Sequence, residues 1–108
     1  MLKRKERLTR AQFDRSFSIG KRFHGQALQL IVDASMPFHG SVVVGKKVLK
    51  SAVMRNKARR SLYGRLYAWS RMRSPHATLI VIAKPPLAKL SKKERIEALD
   101  ELLVKSRL

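Results

Sequence analysis

The residues of this chain best suited to chemistry are cations. Lys46, Lys47 and Lys50 are followed closely by Arg55, Asn56, Lys57, Arg59 and Arg60, with Arg65 further along. A guanidinium offers a planar fork of donors that matches two phosphate oxygens. An ammonium acts as a point charge, and an asparagine amide can add a bond to phosphate, sugar or base. The spacing of apolar residues puts most of this run on a helix, with Lys50 and Arg55 near its first turn. There the macrodipole favours anions, so a sequence shaped for stability alone would keep cations away. The arrangement makes sense if the positive helix end and the side chains together receive phosphates.

Other chemistries find little support. A two-metal nuclease needs several convergent carboxylates. Here Glu6, Asp14 and Asp33 are scattered, and Glu94, Glu97, Asp100 and Glu101 lie together on a C-terminal helical segment. Lys93 and Lys105 stand four residues either side of Glu97 and Glu101, a pattern that predicts ion pairs along one helix. His24, His39 and His76 have no metal-ligand spacing, and there is no cysteine to join them. Neither a glycine-rich phosphate loop nor a nucleophile elbow is present. The polypeptide by itself is therefore expected to hold no catalytic residue, no metal and no cofactor.

Composition points the same way. The 108 residues carry 25 Lys and Arg against 7 Asp and Glu, a formal net charge of +18. No acidic side chain occurs from Ala34 to Lys93, whereas an ordinary solvated surface mixes both signs. Such an excess favours a polyanionic partner, a nucleic acid before an anionic membrane. At 44% hydrophobic the chain can build one modest core, so residues 1–108 are read as one domain. The basic start of the chain lacks the apolar stretch of a signal peptide, and no apolar run approaches the roughly 20 residues that span a bilayer. A soluble, cytoplasmic protein without a membrane partner is expected, since the amphipathic stretches lie between credible strands.

The elements that must position these cations are well marked. Thr9 and Gln12 form a capping box for a first helix, with Leu8 and Phe13 placed as a hydrophobic staple and Phe13 and Phe17 on one face. Gly20 is placed to end that helix in a left-handed conformation. Strands are predicted from Gln26 to Asp33, where Ile31 breaks the alternation, and from Ser41 to Val44. A long helix from about Ser51 to Trp69 presents Met54, Ala58, Leu62, Leu66 and Trp69 as an apolar stripe. Thr78 to Ala83 is continuously apolar, as a central strand would be, and Pro85-Pro86 ends it. Ser91 and Glu94 form a second capping box, opening a final helix with Ile96, Leu99, Leu102 and Leu103 inward. The sum is an α+β domain with helices on a small sheet.

Gly45-Lys46-Lys47-Val48, followed by Ala52-Val53-Met54-Arg55-Asn56-Lys57-Ala58-Arg59-Arg60, resembles the signature of the bacterial ribonuclease P protein family. The flanks agree: Arg7-Leu8-Thr9 with Phe13, Phe17, Gly20, Lys21 and Arg22 resembles the family's N-terminal segment, and Ala83-Lys84-Pro85 its C-terminal one. Lys57 stands where the family usually has Arg, and Arg59 where it usually has Lys. The charge is kept, but Lys57 loses the bidentate fork. Gly45 replaces a small hydroxyl residue or alanine.

The resemblance implies three helices on a four-stranded sheet in the order α-β-β-β-α-β-α, with a further strand near Lys21 to His24. It also implies a left-handed β-α-β crossover, against the usual right-handed rule. The implied function is the protein subunit of ribonuclease P, assisting Mg²⁺-dependent removal of the 5′ leader of precursor tRNA by a catalytic RNA that itself holds the Mg²⁺. Lys50, Arg55, Asn56, Lys57, Arg59 and Arg60 would bind that RNA. Phe13, Phe17, Lys21, Arg22, Lys46 and Lys47 would line a cleft for the leader, with no obligatory protein partner. Two Phe four residues apart are ordinarily core. As cleft residues they would stack on bases with little sequence preference, one ring packed and the other partly open. The competing reading is a ribosomal or other structural RNA-binding protein, which charge, size and layout fit equally well.

Overall fold

In the computed structural model, residues 8–108 are described; Glu6 and Arg7 lie outside them. Helix α1 (Arg10–Ile19) leads into strands β1 (Lys21–His24), β2 (Leu28–Asp33) and β3 (His39–Val43). Helix α2 (Ala52–Arg73), strand β4 (Thr78–Ala83), a short 3₁₀ helix (Pro85–Lys89) and helix α3 (Lys92–Ser106) complete the chain. Three α-helices on a four-stranded mixed sheet, in the order α-β-β-β-α-β-α, match the expected fold class. Among the described residues no helix is long and apolar enough to cross a membrane.

The strand order is β1-β2-β4-β3. β4 pairs antiparallel with β2, Ile80 opposite Ile31, and parallel with β3, Ile80 opposite Ser41. A parallel pair needs a crossover, and α2 supplies it between β3 and β4. Leu28, Leu30 and Val32 of β2, Val42 of β3, and Leu79 and Val81 of β4 bury one sheet face with Ala58, Leu62, Leu66 and Trp69 of α2 and Leu99, Leu102 and Leu103 of α3.

Ile31 explains its own break in the alternation. It and Ile80 are fully buried but lie on the opposite face, outside that core, where α1 packs against β2 and β4. Both faces of the two inner strands are covered at this end, so both residue sets are apolar. α1 is anchored there by a polar contact. Ser16, its buried residue, donates at 2.8 Å to the buried Asp33 carboxylate, which also accepts from the Ser35 amide at 3.1 Å and the Ser35 hydroxyl at 2.5 Å.

Both capping boxes form: Thr9 accepts from the Gln12 amide, and Ser91 from the Glu94 amide, each with the reciprocal bond. Several expectations need correction. Gly20 is not left-handed but extended, at φ −66° and ψ 149°. Its role is close approach: a Cβ there would lie 2.4 Å from Ile31 Cγ2 and 2.6 Å from the Ser16 carbonyl oxygen. α2 runs one turn past Trp69 to Arg73, and Met54 at the head of its stripe is 43% exposed because it precedes the stretch that reaches the sheet. β2 starts at Leu28 instead of Gln26, and β3 is shifted to His39–Val43. In α3, Arg95 is buried and Ile96 only half-buried.

The two glycines make a contrast that can be measured. Gly20→Ala must displace Ile31 or the end of α1 and is expected to cost about 1–3 kcal/mol. Gly45 has nothing within 4 Å of a built Cβ and no positive φ, so Gly45→Ala should leave stability unchanged or slightly raised. Urea denaturation of both variants checks the pair; a destabilised Gly45→Ala beside an unaffected Gly20→Ala would contradict the packing described.

Candidate nucleic-acid interface

The connection from β3 to α2 is built to present cations. Gly45 accepts backbone bonds from Val48 and Leu49, giving one turn that leaves Lys46 and Lys47 exposed. Ser51 caps α2 by accepting from the Met54 amide at 3.3 Å. Because Ala58, Leu62 and Leu66 turn inward, Asn56, Lys57 and Arg60 are left on the outside. No acidic residue lies in the first turn of α2.

Two of these side chains have structural work as well. Arg55 folds back, its Nη1 donating to the carbonyls of Leu49 at 3.0 Å and Lys50 at 2.7 Å. This ties the cationic loop to the helix and satisfies carbonyls that the turn leaves free. Arg59 donates to the Asn56 side-chain oxygen, so these two present themselves as a unit. Arg65 stands apart, since its Nε meets Asp100 of α3 at 2.7 Å. The expected ion pairs of Glu97 and Glu101 with Lys93 and Lys105 are not formed; instead Asp100 pairs across helices. Exposed pairs of this kind contribute little, so nothing compels the side chains into that geometry.

The second cluster lies on and beside α1. Phe13 and Phe17 stack, with ring centroids 5.9 Å apart and planes at 21°. Phe13 is half-buried and Phe17 is 38% exposed, and neither joins the main core. Arg22 of β1 lies over the Phe17 ring, 4.5 Å from its centroid, while its Nη2 donates to the Phe17 carbonyl at 2.7 Å. Lys21 points to the other side of the strand, over Phe23 at 5.4 Å. The register puts Arg22 on the sheet face that α1 partly covers and Lys21 on the opposite face with Phe23. Phe17 and Arg22 thus form one surface with the open part of that face, where Gln29, Ser41 and Ile82 are half-buried and Val43 exposed. An exposed ring edge capped by a planar guanidinium is a platform against which a base can pack.

Sequence reasoning missed three features. The Arg22–Phe17 contact depends on strand register, which no local pattern encodes. Asp33 gave no sign of its burial; burial raises its pKa, but hydrogen bonds from Ser35 and Ser16 and the charge of Arg15 outweigh this and hold it below the ordinary value. Arg95 was legible: Arg95, Leu99, Leu102 and Leu103 fall at the i, i+4, i+7, i+8 spacing of an inward stripe. Among the described residues no three His, Asp or Glu side chains come together as metal ligands.

The Ribonuclease P family profile matches residues 2–107. No curated protein sequence matches. Among solved structures, the fold is similar to that of the Staphylococcus aureus RNase P protein, with TM-score 0.80 and 20% identity over 94% of each chain. It is also similar to the Thermotoga maritima RNase P protein, with TM-score 0.73 and 22% identity over 91% of this chain and 94% of that one.

Arg55 and Arg60 separate the structural from the surface role of the α2 cations. Arg55→Ala removes two hydrogen bonds to loop carbonyls and should lower stability by about 1 kcal/mol. Arg60→Ala removes an exposed cation and should leave the melting temperature unchanged or slightly raised. Thermal melts of both variants decide it, and equal losses would show that the Arg55 clasp does not hold in solution.

Proposed function

The chain belongs to the ribonuclease P protein family, whose role is tRNA processing, and from that premise we propose that it is the protein subunit of a ribonuclease P ribonucleoprotein. Lys50, Arg55, Asn56, Lys57, Arg59 and Arg60 form the contact with the catalytic RNA. The 5′ leader of precursor tRNA lies against α1 and the open half of the sheet, packed on the Phe17–Arg22 pair. Arg22 caps the Phe17 ring and Phe13 backs it, and Lys46 and Lys47 neutralise phosphates nearby; Lys21, on the other face of the sheet over Phe23, takes no part. The observation that carries the reading is the run of cations at the head of α2, which faces outward without a carboxylate partner.

Mg²⁺ held by the RNA supplies the hydrolytic chemistry, and the polypeptide alone is inert. Its own residues work by binding. Each phosphate neutralised by Lys or Arg releases condensed counterions, so the protein's grip on RNA is electrostatic and weakens steeply with salt. The platform at Phe17 is indifferent to base identity because every base offers a π-face, which suits leaders of varied sequence. The working place is the cytoplasm, and no further protein subunit is required.

The test separates leader binding from general RNA binding. Phe17→Leu keeps apolar area but removes the stacking ring, a loss of roughly 1–3 kcal/mol per stacked base. Holoenzyme reconstituted with a ribonuclease P RNA is titrated with precursor tRNA bearing a leader of several nucleotides and with mature tRNA. The variant should weaken only the leader-bearing substrate, with its melting temperature nearly unchanged. Equal weakening of both, or neither, would remove Phe17 from the leader site.

A further inference from the structure

A groove of about 560 Å³ lies between the first half of α2 and the start of α3, lined by Met54, Lys57, Arg60, Leu90, Lys92 and Arg95. Its size falls within the range of small-ligand sites, roughly 300–1,000 Å³. It holds four cations and no carboxylate. Lys57 and Arg60 belong to the α2 surface already described, but Lys92 and Arg95 come from a helix with no role so far.

Arg95 is the informative residue. It is only 8% exposed, and its Nε donates to the Leu87 carbonyl at 3.1 Å. Its two Nη groups have neither hydrogen-bond nor ion-pair partner among the described residues. Among the described residues no fully buried side-chain nitrogen lacks a partner, and Arg95 lines this groove, so its Nη groups open onto it instead of being sealed inside. A guanidinium stripped of most of its hydration and given no counter-charge is unfavourable. An anion seated in the groove would offset that cost.

The charges of α3 are sorted to match. Lys92 and Arg95, three residues apart, share one side of the helix. Glu94, Glu97 and Glu101 line a different groove, facing Gly25 to Leu28. Glu94 is engaged there with the Ser91 amide, so no carboxylate competes for the cationic groove. Met54 and Leu90 give this groove an apolar wall.

We propose that the groove seats a phosphate of the catalytic RNA, with its nucleoside against Met54 and Leu90. This rests on the function proposed above and extends the RNA contact from α2 onto α3. Arg95 presents its Nη pair to the phosphate oxygens, and Lys92, Lys57 and Arg60 complete the ring of charge. The fork that Lys57 lacks is supplied across the groove by Arg95.

The full-length chain and its variants are titrated against a ribonuclease P RNA at several KCl concentrations. Lys92→Ala, an exposed change, and Arg95→Gln, which retains a donor for Leu87, should each weaken binding roughly tenfold. Each should also flatten the slope of log affinity against log salt by about one. Glu97→Ala, on the other side of α3, is the control and should bind as the parent does. If Arg55→Ala weakens binding while Lys92→Ala and Arg95→Gln keep both affinity and slope, the groove is idle, Arg95 serves only to hold Leu87, and the α2 contact stands. If Arg55→Ala is also without effect, or the parent chain binds independently of salt, the proposed function falls with it. Should Arg95→Gln fail to fold, Lys92→Ala decides by the same criterion.

Discussion

The parallel pairing of β3 with β4 is the constraint on which the rest of the molecule depends. Two adjacent parallel strands cannot be joined by a hairpin, so the chain must leave β3, cross a sheet face and return. α2 is that crossing. Its apolar stripe is forced onto the sheet, where Ala58, Leu62 and Leu66 are buried, and every cation between Lys50 and Arg60 is thereby directed elsewhere. The same crossing is entered through the loop between Val43 and Ala52, in which Lys46 and Lys47 are exposed. One topological requirement thus exposes the cations of the loop and of α2 from a single stretch of chain.

The sheet separates what holds the fold from what faces a partner. On the α2–α3 side, leucines and valines of the inner strands meet helix residues in one core. On the other side α1 covers only Ile31, Ile80 and their neighbours, fastened by Ser16 to Asp33. The depressed Asp33 pKa means that this carboxylate's contribution is present above its unfolded pKa and lost as acid titrates through the lower folded value. A net charge of +18 works against any compact state. The fold tolerates it because, among the described residues, the excess is borne on side chains that leave the core untouched, with Arg95 as the one buried exception.

Much of this was legible in the chain, because local chemistry dictates it. Thr9 with Gln12 and Ser91 with Glu94 announce helix starts, and Thr78–Ala83 announces a strand buried on both sides. β1 could be placed only through family resemblance, since Lys21-Arg22-Phe23-His24 has no strand signature; it forms because β2 offers it an edge. Gly20 was recognised as necessary for a wrong reason: a left-handed cap is the common use of glycine after a helix, whereas contact with Ile31 is visible only once two distant segments are packed. Of the candidate site, the cations of α2 and the Phe13–Phe17 spacing could be read directly. The Arg55 clasp on Leu49 and Lys50, the Arg22 contact with Phe17 and the Asp100–Arg65 pair arise from tertiary geometry and left no trace in periodicity.

The central claim is that this protein works by assisting an RNA that carries the chemistry. It is tested most directly by cleavage of precursor tRNA at limiting Mg²⁺, comparing a ribonuclease P RNA alone, this protein alone, and the two together. The account predicts no cleavage by the protein, slow cleavage by the RNA, and a marked acceleration at the same site by the mixture. Cleavage by the protein alone, or a mixture no faster than the RNA, would contradict it.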